Sequence, residues 1–314
     1  MNDRTRKQAA KMIAIAGASA SAMAVAFFGG IKNIVGMILL CSLAGMLGYF
    51  AFAWFGTRLM RLERRVTRGR PGGAVYAFGE LPAEEADRAG GKGRALATLY
   101  QAGFPVPDGC ILLPTAFDGD DLIPAAREKV RGQLERLRAG KQISFAVRSS
   151  ALSEDSAVAS FAGEFESLLD VRLDDDVHAA IRAVRLSRYS ARVNAYRRAQ
   201  GLDEDETAMA VIIQKLIEPD FSGVLFTADP LTGNLMQMTG NFVPGLGDKL
   251  VSGQVSGATF TFERPEGIYN GPPELSRVAR LLHREAHAVE NELGSPQDIE
   301  WAVAGDKLFI LQAR

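Results

Sequence analysis

Four side chains near the end of the sequence are of types that bind metal and phosphate. Asp298 and Glu300 alternate along one apolar run, and Gln312 and Arg314 alternate along a second, with Ala304-Gly305-Asp306 between them. Residues two apart on a strand share a face. A β-hairpin would therefore gather two carboxylates, an amide and a guanidinium on one side. Ile299, Trp301, Phe309 and Leu311 would lie on the other. A three-residue turn predicts that residue i faces residue 610 − i, which sets Asp298 opposite Gln312 and Glu300 opposite Ile310. Carboxylate oxygens beside an arginine suit a Mg²⁺ ion shared with a substrate phosphate, because Mg²⁺ prefers hard oxygen ligands.

Two further cations stand where phosphate could be met. Lys92 lies in Ala-Gly-Gly-Lys-Gly, ahead of a helical pattern over Arg94–Ala102 that Gly103 would cap. Glycines before a helix let backbone N–H groups approach an anion. The run lacks the full GxxxxGK[ST] pattern, so a glycine-rich turn with a solvated lysine is the competing reading. Arg148 ends a strand-like run, Phe145 to Ser150, beside two serines, a setting that suits a phosphate clamp. Leu152 to Gly163, small and polar, reads as a mobile cover. His283 and His287 are four apart, but no HExxH pattern accompanies them, and solvated helix residues is the better reading.

These residues need strands and helices to hold them. Met209–Lys215 and Ser222–Asp229 read as strands, and Asp229–Asn234 as a turn. Val243–Asp248 reads as a glycine-containing loop. His178–Gln200 and Glu274–Leu293 carry helical periodicity, the arginines of the first forming a solvated face and Gly294 closing the second. Strands and helices mix without regular βαβ alternation, which predicts an α+β fold.

The 314-residue chain is divided in charge. Residues 1–70 hold 11 of the 36 Lys+Arg but 2 of the 37 Asp+Glu, a net of +9 against −10 for the remainder. An acidic main body argues against nucleic acid as a partner. Cys41 and Cys110 are too few for a disulfide framework or zinc cluster. Within residues 12–56, Met12–Phe28 is apolar and Ile34–Phe55 runs 22 residues without a charge, roughly 30 Å as a helix. Basic residues flank both ends: residues 1–11 before, and a linker at 57–74 after. The positive-inside rule then predicts a transmembrane helical hairpin with both ends cytoplasmic, that is, a multi-pass inner-membrane protein whose body, residues 75–314, faces the cytoplasm. A signal peptide followed by a stop-transfer segment is the alternative.

Taken together, five ordered blocks resemble the N-terminal ATP-binding domain of the phosphoenolpyruvate synthase and pyruvate phosphate dikinase family. They are GGKG with AGFPVPDG, VRSSALSEDSAVASFAGEFESLLDV, QKLIEPDFSGVLFTADPLTGN, VPGLGDKLVSGQVSG and PQDIEWAVAGDKLFILQAR. The resemblance implies an ATP-grasp-like, two-lobed fold closing on ATP. It implies that Lys92 and Arg148 contact phosphates, that Asp298 and Glu300 hold Mg²⁺, and that Gln312 and Arg314 meet nucleotide and γ-phosphate. Gln214, Lys215 and Leu216 would border the adenine, and Ser160 to Gly163 would form the loop over the phosphates. There are departures: Glu164-Phe165-Glu166-Ser167 replaces Gln-Gln-Glu-Thr, Asp248 stands for Glu, and Gly257-Ala258 replaces Pro-Asp.

Complete members carry a phosphoacceptor histidine on a swivelling domain. None of His178, His283 and His287 lies in such a setting, and the sequence ends where that relay would begin. The implied activity is phosphoryl transfer from ATP to a histidine on a separate protein, with AMP as nucleotide product. The alternative is a non-catalytic, membrane-tethered nucleotide sensor or scaffold.

Overall fold

The computed structural model describes residues 73–152, 155–156, 159–160, 167–190 and 208–314. The chain divides into Met1–Pro71 and Gly72–Arg314, and the description concerns the second. The expected membrane hairpin, Gly163 and the end of the helical pattern after Ser190 lie outside the described residues. No helix among the described residues is long and apolar enough to cross a membrane.

In chain order the strands are β1 (Val75–Ala77), β2 (Gly109–Leu112), β3 (Phe117–Asp118), β4 (Asp121–Leu122), β5 (Phe145–Ala151), β6 (Asp155–Ser156), β7 (Ala159–Ser160), β8 (Ser167–Val171) and β9 (Met209–Lys215). A second series follows: β10 (Phe221–Phe226), β11 (Gln237–Pro244), β12 (Ala258–Glu263), β13 (Ile268–Asn270), β14 (Asp298–Ala304) and β15 (Lys307–Ala313). The helices are α1 (Gly90–Gln101), α2 (Pro124–Arg138), α3 (Asp174–Leu186), the single turn α4 (Asp248–Val251) and α5 (Ser276–Leu293).

Two antiparallel sheets organise these elements. The first runs β1-β2-β9-β5-β8 and the second β13-β12-β11-β10-β14-β15. Antiparallel pairing with helices packed against the sheets is the α+β arrangement that the element pattern predicts. The central strands of the first sheet are buried on both faces, which explains their near-continuous apolar sequence. Cys110, Leu112, Val211 and Ile213 face α2 and α3, packing on Val130, Leu134, Val177 and Ile181. Their alternates Ile111, Ala210 and Ile212 join the other core with Leu96 and Leu99 of α1. That core continues to Trp301, Phe260 and Leu282, on the second sheet and α5.

The closing hairpin forms, but not in the predicted register. Ala304 pairs with Lys307, so the turn is the two residues Gly305-Asp306. Gly305 takes φ 59°, which suits the first central position of a type II′ turn and which a side chain there would resist. The register then shifts between Glu300 and Trp301: Trp301 pairs with Ile310, Glu300 with Gln312, and Leu311 is the extra residue of a β-bulge. Asp298 is therefore opposite Arg314 rather than Gln312, each backbone N–H donating to the other's carbonyl at 2.7 and 3.1 Å. Leu308 and Ile310, not Phe309 and Leu311, share the core with Trp301. The two-residue turn sets Ile310 opposite Trp301, and apolar spacing alone cannot distinguish it from a three-residue turn.

Other boundaries also move. The α1 helix starts at Gly90 rather than Arg94, so Gly-Gly-Lys-Gly is its first turn. The α3 helix begins at Asp174 and ends at Leu186. Its arginines do not all form a solvated face. Arg185 is 4% exposed, stacks 4.2 Å over Phe117 and donates to the carbonyls of Met209 and Gly119. Those carbonyls, left over at strand and turn ends, provide the acceptors that let a guanidinium be buried. His283 also departs from the solvated reading, since its ring packs 5.3 Å from Phe262.

Candidate functional site

Strand alternation decides what faces the cleft between the sheets. On β5, Phe145 and Val147 join the core beneath α2 and α3, so Ala146, Arg148 and Ser150 face the opposite way. On β14, Ile299, Trp301 and Val303 enter the core, leaving Asp298 and Glu300 on the other face. The aromatic anchor holds this phase, because fully buried Trp301 meets Phe260 edge-to-face at 6.0 Å.

The two faces meet through charge. Arg148 Nη1 donates to Glu300 Oε2 at 3.1 Å and lies 3.4 Å from Gln312 Oε1. Both partners of the ion pair are mostly buried, with side-chain exposures of 12% and 18%. Arg314 donates from Nε and Nη2 to the same Asp298 oxygen, at 3.0 and 2.8 Å. Burial pushes the Asp298 carboxyl above the usual range, Arg314 opposes this, and the neighbouring Glu300 charge raises it further. The two acids and two bases balance formally.

Beside this polar cluster is a narrow cleft of about 50 Å³. Arg148, Glu300 and Gln214 line it, together with the aliphatic side chains Leu169, Leu216, Leu246 and Leu311. The lining thus combines the charged Arg148, Glu300 and Lys215 with a larger apolar share. Ser222 also lines the cleft and donates to the Gly245 carbonyl, tying the β10 strand to the loop before α4. Leu311 reaches the cleft because the two-residue turn puts Ile310 in the core and its neighbour on the face of Glu300, the reverse of the predicted phase. The loop carrying Leu246 was marked only by its glycines.

The first turn of α1 is fixed to β5 by one hydroxyl. Buried Ser150 donates to the Ala89 carbonyl at 2.7 Å and accepts from the Gly93 N–H at 2.9 Å. A Cβ on Gly90 would sit 2.5 Å from the Ser150 carbonyl, and Gly90 has φ 71°, so no side chain fits there. Lys92 thus belongs to a turn bound to the strand of Arg148, two residues along from it.

The structure brings Arg148, Gln214, Lys215, Leu216 and Glu300 to the cleft lining. It adds Gln312 through Arg148 and Asp298 with Arg314 through their ion pair. Gln214 is 1% exposed, its amide directed to the Pro107 carbonyl. Lys92 is half-buried on α1 and is not among the cleft-lining residues. Ser160 lies on β7, paired with β6, and Gly163 is beyond the described residues. Of the histidines, none lines the cleft. Cys110 is buried and its thiol is pushed up to about 12, which makes it inert.

The donor set fits a hard divalent cation. Asp298 and Glu300 offer carboxylate oxygens from one strand face, and their mutual repulsion favours a cation between them. No group of three or more potential metal-ligating His, Cys, Asp or Glu occurs among the described residues. Mg²⁺ commonly uses one or two protein carboxylates, with substrate oxygens and water completing its shell. The Arg148 Nε is buried and lacks a hydrogen-bond partner among the described residues, so this guanidinium can still take an acceptor.

Residues 117–270 match the family described as pyruvate phosphate dikinase, AMP/ATP-binding domain. Over 283 residues the chain is 33% identical to a prodigiosin synthesizing transferase of Serratia marcescens, a span of 73% of this chain and 32% of that protein. It is 28% identical to a probable phosphoenolpyruvate synthase of Archaeoglobus fulgidus, over 72% of this chain and 39% of the relative. It is 32% identical to a rifampicin phosphotransferase of Bacillus cereus, over 56% and 23%. The chain thus spans about a third of the length of these relatives. Among solved structures, a D-alanine–D-alanine ligase from Bacillus anthracis complexed with ATP aligns at 11% identity and TM-score 0.37, covering 71% of this chain and 52% of that one. A likeness that distant carries no argument. The family match and the relatives support an ATP-binding domain similar to that of the phosphoenolpyruvate synthase and pyruvate phosphate dikinase family.

Proposed function

We propose that the cleft takes Mg²⁺-ATP in an ATP-grasp-like manner and that the chain is a membrane-anchored phosphotransferase subunit, passing phosphate to a histidine on a separate protein. One observation carries the reading. Arg148 bridges the two sheets in a cleft lined by both charged and aliphatic side chains, held by Glu300 and Gln312, its buried Nε without a partner among the described residues. A nucleotide combines the same two characters, a flat base and charged phosphates.

In this reading Gln214, Lys215 and Leu216 border the base. Arg148 and Arg314 turn from their carboxylates toward phosphate oxygens, with Lys92 adding a further positive charge. Asp298 and Glu300 are thereby released to hold Mg²⁺, which when bound neutralises phosphate charge. Ser160 and Gly163 belong to the segment that covers the phosphates. Phosphoryl transfer asks chiefly for such positioning and charge neutralisation.

The acceptor is assigned to another protein because no histidine lines the cleft. His283 packs on Phe262 and His287 is bonded to Asn291. With AMP as the product, the α–β bond breaks and the β- and γ-phosphates pass together to the histidine, the γ-phosphate then being released to water. A label on the β-phosphate of ATP should therefore appear, acid-labile, on a histidine of a co-purifying protein. ATP binding without AMP or labelled histidine would instead support a sensor or scaffold. Anchoring rests on the uncharged run Ile34–Phe55 and its basic flanks, and implies an inner-membrane location with the ATP-binding domain in the cytoplasm. Alkaline carbonate should then leave the full chain in the membrane pellet; release into the supernatant would remove this part of the proposal.

A further inference from the structure

We infer that Thr227 is a positioning residue for Asp298, and through it for the divalent cation, an assignment that rests on the Mg²⁺-ATP reading of the cleft. Asp298 is the first residue of β14 and pairs with Phe226, the last of β10. The ladder ends there, and the next pair, Thr227 and Gln297, is joined differently. The Thr227 N–H donates to the Gln297 carbonyl at 2.8 Å. The Gln297 N–H, however, donates to Thr227 Oγ1 at 2.8 Å, not to the Thr227 carbonyl. The side chain takes the place of its own backbone acceptor.

That substitution frees the Thr227 carbonyl, which accepts from Arg264 at 2.8 Å. The Thr227 hydroxyl proton goes to Glu290 Oε1 at 2.8 Å, and the second Glu290 oxygen takes Arg264 Nη2 at 2.6 Å. The hydroxyl therefore donates once and accepts once, within the capacity of threonine. Thr227 is fully buried, and the Arg264 and Glu290 side chains are each 13% exposed. The network joins the end of β10, the residue after β12, helix α5 and the residue before Asp298. None of Thr227, Arg264 and Glu290 lines the cleft. Its effect is to fix the backbone one residue ahead of the first carboxylate. A charge cluster that met substrate would have lined the cleft, and a merely cohesive one needs no side chain in the strand ladder.

The experiment compares the full-length chain with Thr227→Val, Thr227→Ser and Glu290→Gln. ATP is titrated calorimetrically with Mg²⁺ and again in EDTA, and thermal unfolding is followed in parallel. Valine keeps the shape and removes the hydroxyl. Loss of groups that orient metal ligands costs about 10–100-fold in metal affinity. We therefore expect the Mg²⁺-dependent gain in ATP affinity to fall at least about tenfold in Thr227→Val, within that range. Metal-free ATP binding should keep the wild-type value, and Thr227→Ser should restore the gain. Glu290→Gln should reduce it too, which preserves the test if the valine variant does not fold. A lowered melting temperature with an unchanged Mg²⁺ gain would overturn the positioning role and leave the ATP site standing. A wild-type chain that binds ATP no better with Mg²⁺ would overturn the parent reading, and this inference with it.

Discussion

Asp298 holds a carboxylate in a partly buried position next to another acid, and its ordinary value of 3.8 is raised chiefly by burial, with Glu300 adding to the rise. The folded state then keeps the proton at a pH where the unfolded chain has lost it. The contribution of Asp298 to stability is therefore present below 3.8 and is lost as pH rises through that value and on through the raised one. Above this window the charged group weighs against folding in the metal-free protein. Asp298→Asn should gain melting temperature relative to wild type as pH rises across the window, then hold the gain at neutral pH. A difference that stays flat with pH would contradict the account. At this scale the sequence is informative about which residues carry chemistry, because Asp298, Glu300, Gln312, Arg314 and Arg148 announce themselves by type. It is silent about Ser222 and Leu311, whose place in the cleft depends on neighbours distant in the chain. It also misleads at Arg185, since burial of an arginine depends on carbonyls that only the fold supplies.

Between elements, the joint of α1 with β5 controls how Lys92 stands relative to Arg148. Ser150→Ala would leave the Gly93 N–H and the Ala89 carbonyl without their side-chain partner in a buried setting. Each unsatisfied buried group costs about 1–3 kcal/mol. A loss of about 2 kcal/mol in denaturant unfolding is expected, together with weaker ATP binding; unchanged values for both would deny the joint its role. The hairpin of β14 and β15 is an instructive case of what can be read. Its existence, its turn region and its polar face follow from alternation and from Gly305-Asp306. Its register does not, because one bulged residue at Leu311 and a two-residue turn give the same apolar spacing as the predicted arrangement. Helix α2 and strands β11 and β12 escape attention because short amphipathic runs mark no chemistry, whereas the central strands of the first sheet stand out through burial on both faces.

For the whole molecule, the two antiparallel sheets bring Arg148 of one against Glu300 of the other, and these residues are 152 apart in sequence. Composition and element pattern were enough for an α+β body and for the division in charge between residues 1–70 and the rest. The cleft itself was legible only through five ordered sequence blocks, since no single block specifies which sheet faces meet. The central claim is that this inter-sheet cleft is a Mg²⁺-dependent ATP site. It is tested most directly by calorimetric titration of ATP, with and without Mg²⁺, into the wild-type chain and into Asp298→Asn with Glu300→Gln. The account predicts Mg²⁺-dependent binding by the wild type and loss of that dependence, by at least about tenfold in affinity, in the double variant. Equal Mg²⁺-dependent affinity in both proteins would contradict it.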